Sequence, residues 1–357
     1  MDALLSAGAA WPGAVAVSGG GDSVALMLLL AGYAKHAKRE VPVVLTVDHG
    51  LRENSAKDAK TVVKMAGEIG LKAHALTWKG ETPKSDIEAE ARNARYRLMG
   101  DWLSAHKISA LYVAHTMEDQ AETFLLRLAR GSGLDGLSAM RVIAPYPMQG
   151  YPGLMIVRPL LDMARAPLRD YLRAKKQSWL EDPMNADPRF ARSKLRAAWP
   201  QLEALGLSAQ RLSDAAEHLG RAREALDDMT AGLLLRAARF DEAGALIDSV
   251  RLKMAPREVG LRALAATLSR VSGEAYRPRF GKLERLFDAI RDGSLGGGAT
   301  LHGCVVAPSP RTAQAFGTGT LAVTRETGRT LPEKPVASAP VKDGVPARLA
   351  KKAKKRR

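Results

Sequence analysis

The sequence predicts an α/β protein: a parallel sheet with helices on both faces, followed by a smaller α+β or helical C-terminal domain. Three observations carry this expectation. In the first half, short apolar runs alternate with helix-length amphipathic stretches. Clusters of Gly, Ser, Asp and His follow those apolar runs. From about Gln201 the pattern changes to helices rich in Ala, Leu and Arg, which run through Phe240. A chain of 357 residues has room for two domains. The expected divisions are residues 1–204, residues 205–327, and a tail at 328–357 whose four prolines and many charges read as disordered.

Taken in order, "AVAV" (Ala14–Val17) reads as a buried strand and Asp22–Ala37 as a helix. "VPVVLTVDHG" is a second strand, Ser55–Ile69 a helix with Ser55 as its N-cap, and "LKAHALTW" a third strand. Asp86–His106 is a long helix, "ALYVAH" a strand, and "TMEDQAETFLLRLARG" a helix stopped by Gly131. Arg141–Pro159, rich in Pro, Gly and Tyr, reads as a loop or short hairpin, and Arg165–Lys176 as a helix. A strand at Ala245–Leu252, a helix at Pro256–Val271 and strands near Ala299–Val306 and Thr320–Val323 complete the second domain. Strands alternating with helices of this length form parallel sheets, and ligands bind such sheets beyond the carboxyl ends of the strands. Ser18–Ser23, Asp48–Arg52 and His115–Asp119 each follow a strand, so they are expected on one edge.

Charge narrows the partners. Lys and Arg number 54 against 38 Asp and Glu, a net of +16. The tail "VKDGVPARLAKKAKKRR" carries eight basic residues and one acid, which leaves +9 on the body. Such a field favours a polyanion, nucleic acid first, although a basic tail also serves solubility alone. The single cysteine, Cys304, excludes an intramolecular disulfide and a Cys-based metal cluster. The longest apolar run, Val24–Ala34, falls short of the ~20 residues of a membrane span. The N-terminus also lacks the basic start of a signal peptide. A cytoplasmic protein without a membrane partner is expected; the oligomeric state stays open, a homodimer included.

"SGGGDS", Ser18–Ser23, sits between strand and helix, where small residues let backbone N–H groups and the helix dipole meet an anion. No Lys-Ser or Lys-Thr follows, so it is not a Walker A loop, and Val24 stands where a dinucleotide loop needs its third glycine. A literal G-x-G-x-x-G at Gly131–Gly136 follows a helix instead of a strand, which excludes a dinucleotide site there. "SGGGDS" does resemble the S-G-G-x-D-S loop of the N-type ATP pyrophosphatases. The resemblance implies the adenine nucleotide α-hydrolase-like PP-loop fold and cleavage of ATP between its α- and β-phosphates. It also implies ATP binding by Ser18, Gly19, Gly20, Asp22 and Ser23, with Asp22 positioning magnesium. Gly21 fills the variable position and receives no role.

Further motifs narrow the family. "DHGLR" follows the second strand. "DIEAEARNARYRLM" places Glu88, Arg92, Arg95 and Tyr96 on one helix face, a spacing that by itself fits a solvated, salt-bridged face. "AHTMEDQAETFLLRLARGSGLDGLSAM" puts His115, Glu118, Asp119 and Glu122 at a strand end and first helical turn. With "RPLL" at Arg158–Leu161 and "WLEDPMN" at Trp179–Asn185, these motifs in this order resemble the tRNA(Ile)-lysidine synthetases over roughly residues 13–200. The resemblance implies a ligase that adenylates the C2 carbonyl oxygen of the wobble cytidine of tRNA(Ile) with a CAU anticodon. The ε-amine of free L-lysine then displaces AMP.

Carried over residue by residue, it implies catalytic roles for Asp22, Arg95, Arg97, His115 and Asp119, and magnesium at Asp22 and Asp119 through ATP. Glu122 and Arg158 are implied as the grips on lysine, Arg192 and Arg196 as contacts to tRNA. The basic helices from Arg211 to Arg239 suit an acceptor-stem contact, or are simply amphipathic. Two departures stand out: Glu118 where the family commonly has the first of two aspartates, and Ser193 in "RSKLR" where it has Asn. Glu118 is long enough to reach a metal, but Asp119 takes the main role. The alternatives are a thiolase-like PP-loop enzyme, disfavoured by the lone Cys304, and a non-catalytic RNA-binding protein, disfavoured by the retained Asp22, Ser23, His115 and Asp119.

Overall fold

A computed structural model describes residues 1–50, 54–80, 87–181, 191–274, 276–309 and 313–326. Arg52, the end of the "WLEDPMN" motif from Asp182 to Asn185, and the basic tail lie outside these residues, as does the side chain of Glu88. The chain forms two compact units, Met1–Arg221 and Ala222–Arg357.

Among the described residues the first unit holds six strands: β1 (Ala14–Ala16), β2 (Val43–Asp48), β3 (Ala73–Thr77), β4 (Ala110–Tyr112), β5 (Ile143–Pro145) and β6 (Met155–Val157). Their order across the sheet is β3-β2-β1-β4-β6-β5. All pairs are parallel except β5–β6, an antiparallel hairpin whose second strand runs parallel beside β4. The helices are α1 (Asp2–Ser6), α2 (Gly21–His36), α3 (Ser55–Glu68), α4 (Ile87–Ala105), α5 (Met117–Leu128), α6 (Leu134–Leu137), α7 (Arg165–Ala174), α8 (Ala191–Ala197), α9 (Trp199–Ala204) and α10 (Ala209–Ala237).

Because strand side chains alternate between faces, the central strands feed two cores. Val15, Val44, Ala110, Tyr112 and Val157 point to one face, where Val24 and Met27 of α2, Val62 and Met65 of α3, and Leu168 and Leu172 of α7 cover them. Ala14, Leu45, Leu111 and Ile156 point to the other, against Tyr96, Met99 and Leu103 of α4. Burial on both sides makes these strands continuous apolar runs, and helices cover both faces as expected.

Two local details differ from the expectation. The N-cap of α3 is Asn54, and Ser55 is the first helical residue, its hydroxyl bonded to the Asp48 carboxylate. α10 begins within the first unit, where the Ala139 amide donates to the Ala216 carbonyl at 2.9 Å and the Ser138 hydroxyl to the Leu219 carbonyl at 3.3 Å.

The second unit contains β7 (Ala238–Asp241), β8 (Gly244–Asp248), α11 (Ser249–Met254), α12 (Arg257–Ser272), α13 (Phe280–Asp292), β9 (Ala299–Leu301), β10 (Cys304–Pro308), α14 (Ala313–Phe316) and β11 (Thr320–Arg325). Its sheet, ordered β7-β8-β11-β10-β9, is antiparallel throughout. Ala245, Ile247, Val306, Leu321 and Val323 pack with Leu264 and Leu268 of α12 and with Leu286 and Phe287 of α13. The strand expected to reach Leu252 stops at Asp248. There the Asp248 carboxylate accepts from the Val250 and Arg251 amides and starts a helix.

Candidate active site

The loop after β1 is shaped by its glycines. Gly19 has φ +91°, and a Cβ there would lie 2.6 Å from the Leu180 side chain, so both conformation and space require glycine. Gly20 is the N-cap of α2. The serines brace the loop. Ser18 N–H donates to Ser23 Oγ at 3.2 Å, Ser23 Oγ–H donates to the Gly20 carbonyl at 2.8 Å, and the two hydroxyl oxygens lie 3.3 Å apart. The opening amides of a helix have no intrahelical acceptor, so the start of α2 is suited to an anion.

Asp22 stands in the first turn of α2, and its Oδ1 is buried with no hydrogen-bond partner. Burial pushes its carboxyl up from the ordinary carboxylate range, and the nearby Arg165 and Arg169 only partly offset this. Such an oxygen suits a cation: hard carboxylate oxygens are magnesium's preferred protein ligands.

The turn from β4 into α5 supplies the second group. Asp119 Oδ2 accepts from the Thr116 amide at 2.9 Å and the Thr116 hydroxyl at 3.1 Å, half of a capping box that fixes the carboxylate at the helix start. Its Oδ1 meets Arg165 Nη2 at 2.7 Å. Burial alone would raise this carboxyl; Arg165, the Thr116 amide and His115 outweigh it and hold the group below the usual range.

His115, just ahead of the turn, is pushed down to about 3 by burial, helped by the cations Arg158, Arg92 and Arg95 and opposed by Asp119. Arg158 Nε–H donates to His115 Nδ1 at 3.2 Å. An Nδ1 that accepts leaves the proton on Nε2, so His115 is a neutral N–H donor.

Arg165, the first residue of α7, joins these groups. Its Nε lies 3.3 Å from Asp22 Oδ2, its Nη2 2.7 Å from Asp119 Oδ1, and its Nη1 3.1 Å from Glu122 Oε1. Glu122, one turn along α5 and only 2% exposed, also receives a bidentate pair from Arg196, at 2.7 and 3.1 Å, and Arg192 at 3.9 Å. A buried carboxylate needs this counter-charge, and it draws both arginines of "RSKLR" onto Glu122. Ser193, between them, is buried.

A family model described as the PP-loop domain matches residues 9–202. The tRNA(Ile)-lysidine synthase of Ruegeria pomeroyi is 41% identical over 82% of this chain and 68% of that one. That of Methylobacterium nodulans is 42% identical over 81% and 83%. The chain belongs to the tRNA(Ile)-lysidine synthase family.

Within that family's motifs the structure sorts the sequence-derived residues. Ser18, Gly19, Gly20, Asp22, Ser23, His115, Asp119, Glu122, Arg192 and Arg196 fall around one edge of the sheet. Arg158, 8% exposed, turns inward to His115 and to the Arg141 carbonyl at 2.8 Å. Arg95 lies near His115 with Arg92 for company, each guanidinium over the Tyr96 ring. Arg97, two residues on and therefore on another helix face, stands by Tyr151.

Glu118, where the sequence departs from the resembled pattern, ties α5 to the start of α7. Its carboxylate accepts the Arg165 amide at 2.9 Å, satisfying an orphan donor at the start of α7. An aspartate's shorter side chain would not span that gap as readily. Three residues escaped the motif reading. Arg165 and Arg169 are ordinary arginines in sequence, signalled only by their place just after "RPLLDMA". Gly21 matters because a Cβ there would meet the Arg169 guanidinium at 2.5 Å; that guanidinium lies over the Trp179 ring, 5.0 Å from its centroid.

Proposed function

We propose that this chain catalyses ATP-dependent formation of lysidine at the wobble cytidine of a CAU-anticodon tRNA(Ile), with free L-lysine as the second substrate. The observation that carries this reading is the junction of the phosphate-type loop with the His115–Glu122 motif, through Arg165 on Asp22, Asp119 and Glu122. In the first step the cytidine C2 carbonyl oxygen attacks the α-phosphorus of ATP and pyrophosphate leaves. In the second, the lysine ε-amine attacks C2 and AMP leaves with the oxygen.

The residues divide this work. The Ser18–Ser23 loop and the start of α2 bind the departing pyrophosphate. Asp22 and Asp119 would hold magnesium, and the buried Asp22 Oδ1, which has no hydrogen bond and only the Arg169 guanidinium 3.7 Å away, is the oxygen such an ion would satisfy. Bound there, it would neutralise phosphate charge. His115 offers its Nε2–H and Arg95 its charge to oxygens that become more negative during transfer. Glu122 is suited to an ammonium group, since three guanidinium groups already compete for it.

For tRNA, the second unit presents "YRPRFGK". Tyr276 is 82% and Phe280 62% exposed, with exposed Arg277, Arg279 and Lys282 around them. Aromatics interleaved with cations suit stacked bases and phosphates. No helix among the described residues is long and apolar enough to cross a membrane, and a tRNA substrate fits work in the cytoplasm. Cys304 is buried in the second unit's core, a setting that does not suit a reactive thiolase nucleophile.

The deciding assay measures pyrophosphate release and incorporation of labelled lysine into tRNA, with each substrate withheld in turn. Lysine incorporation that requires ATP and tRNA(Ile) is the expected result. Pyrophosphate release without lysine in the RNA defeats the reading.

A further inference from the structure

One guanidinium occupies the place where a metal is expected. Asp22, Asp119 and Glu122 come from two helices, α2 and α5, and Arg165 of α7 bonds to all three. Arg169 adds a fourth contact, its Nε 3.7 Å from Asp22 Oδ1. The two aspartates that would take a divalent cation are therefore already paired with the chain's own guanidinium groups. An incoming metal must displace a guanidinium that loses its partners in a partly buried setting, where stranding a charge is costly.

We propose that Arg165 is a built-in counter-cation of this carboxylate set, and that it passes to the nucleotide's phosphates when metal and nucleotide enter together. This rests on the reading of the loop as an ATP–metal site. Metal alone offers the displaced guanidinium no new partner. ATP does, since Arg165 then exchanges carboxylate oxygens for phosphate oxygens, which its fork fits equally well.

The exchange needs only a side-chain rotation, because the Arg165 backbone amide stays anchored on Glu118 at 2.9 Å. It also changes Glu122. Release of Arg165 removes one of the guanidinium groups on that carboxylate, making room for a substrate ammonium. Metal–nucleotide binding therefore precedes lysine binding, and the acidic groups are never left bare.

The test uses the full-length chain and Mn2+ alone, read by electron paramagnetic resonance, in wild type, Arg165→Gln and Arg165→Lys. Removing an adjacent positive charge raises a carboxylate's affinity for a cation by about tenfold or more. Arg165→Gln should bind Mn2+ at least that much more tightly than wild type, and Arg165→Lys should stay close to wild type. Equal Mn2+ affinity in wild type and the Gln variant overturns the proposal. If a non-hydrolysable ATP analogue with Mn2+ fails to bind wild type, the ATP–metal reading itself is wrong and the proposal falls with it.

A second measurement does not depend on the Gln variant folding. The Arg165 Nε–H resonance, assigned by its absence from Arg165→Lys, should be present in the free protein and shift when magnesium and the analogue are added. A resonance that does not move overturns the proposal. Equilibrium dialysis of labelled lysine should show binding in wild type only with metal and nucleotide present; lysine binding of equal strength without them overturns the stated order.

Discussion

Arg158 donates its Nε–H to His115 Nδ1 at 3.2 Å and thereby fixes the imidazole as a neutral Nε2–H donor. Burial drives the imidazole to about 3, and the Arg158, Arg92 and Arg95 cations add to the effect. Pyrophosphate release should therefore show no inflection from His115 between pH 5 and pH 8. A nitrogen-15 spectrum of the side chain should show the Nε2–H tautomer through that range. The stability effect has a definite sign. A base whose folded value lies below its unfolded value of 6.5 contributes fully above that value, and the contribution is lost as the pH falls toward 3. Arg158→Met should move His115 back toward its ordinary value; a histidine titrating near 6.5 in the wild type contradicts the assignment.

Asp22→Asn should abolish pyrophosphate release without lowering the melting temperature. Burial raises the Asp22 carboxyl, so its ionised form is disfavoured in the folded chain and stability is given up as pH rises through the carboxylate range. An amide removes that cost, and Arg165 keeps Asp119 and Glu122 as partners. Thermal unfolding at neutral pH checks this, and a clear fall in melting temperature would mark Asp22 as structural.

Gly19 and Gly21 should respond differently to alanine. Gly19→Ala forces a left-handed backbone and a clash with Leu180, and should cost about 1–3 kcal/mol of stability. Gly21→Ala meets only the end of a flexible side chain, the Arg169 guanidinium, which can swing aside for under about 1 kcal/mol. It should instead weaken ATP binding by displacing Arg169 from the loop. Denaturant unfolding and the KM for ATP together separate the two outcomes.

Arg196→Met should destabilise the fold by about 2 kcal/mol or more, because it removes the bidentate partner of a buried carboxylate. The double change Arg196→Met with Glu122→Leu should recover part of that loss while abolishing lysine incorporation. Urea unfolding of the two variants measures the difference.

Tyr276→Ser combined with Phe280→Ser should weaken tRNA binding by roughly 1 kcal/mol or more, the scale of base–aromatic stacking. Both side chains are exposed, so melting should be unaffected. Filter binding at two salt concentrations tests the prediction, and unchanged affinity assigns the patch to another partner.

Strands β1 to β4 were legible as apolar runs, and β1, β2 and β4 are followed by polar clusters, whereas β5 and β6 lie in the stretch that read as a loop or short hairpin. Elements failed where local signals overlap. β7 follows α10 with no break in the Ala, Arg and Phe pattern, so it read as more helix. α11 begins inside the stretch Ala245–Leu252 that read as a single strand, and only Asp248 turning back on two amides reveals it. α13 starts in "RPRFGK", where Pro and Gly mask its later periodicity.

In the site, the glycine loop and the His115–Glu122 motif were readable because neighbours in sequence build them. Arg165 was not, since its importance comes from where α7 places it. The helical spacing already put Arg92 and Arg95 on one face, and the structure sets both guanidinium groups over the Tyr96 ring while Arg97 stands by Tyr151.

Glu118 and Arg165 also bear on how such a site can be moved between proteins. One turn of α5 grips both ends of the same arginine: Glu118 its amide, Glu122 its guanidinium. The two helices are therefore one mechanical part, although 36 residues separate them in the chain. A graft of the His115–Glu122 turn alone would arrive with its acids unbalanced. The smallest portable unit is α5 together with the start of α7.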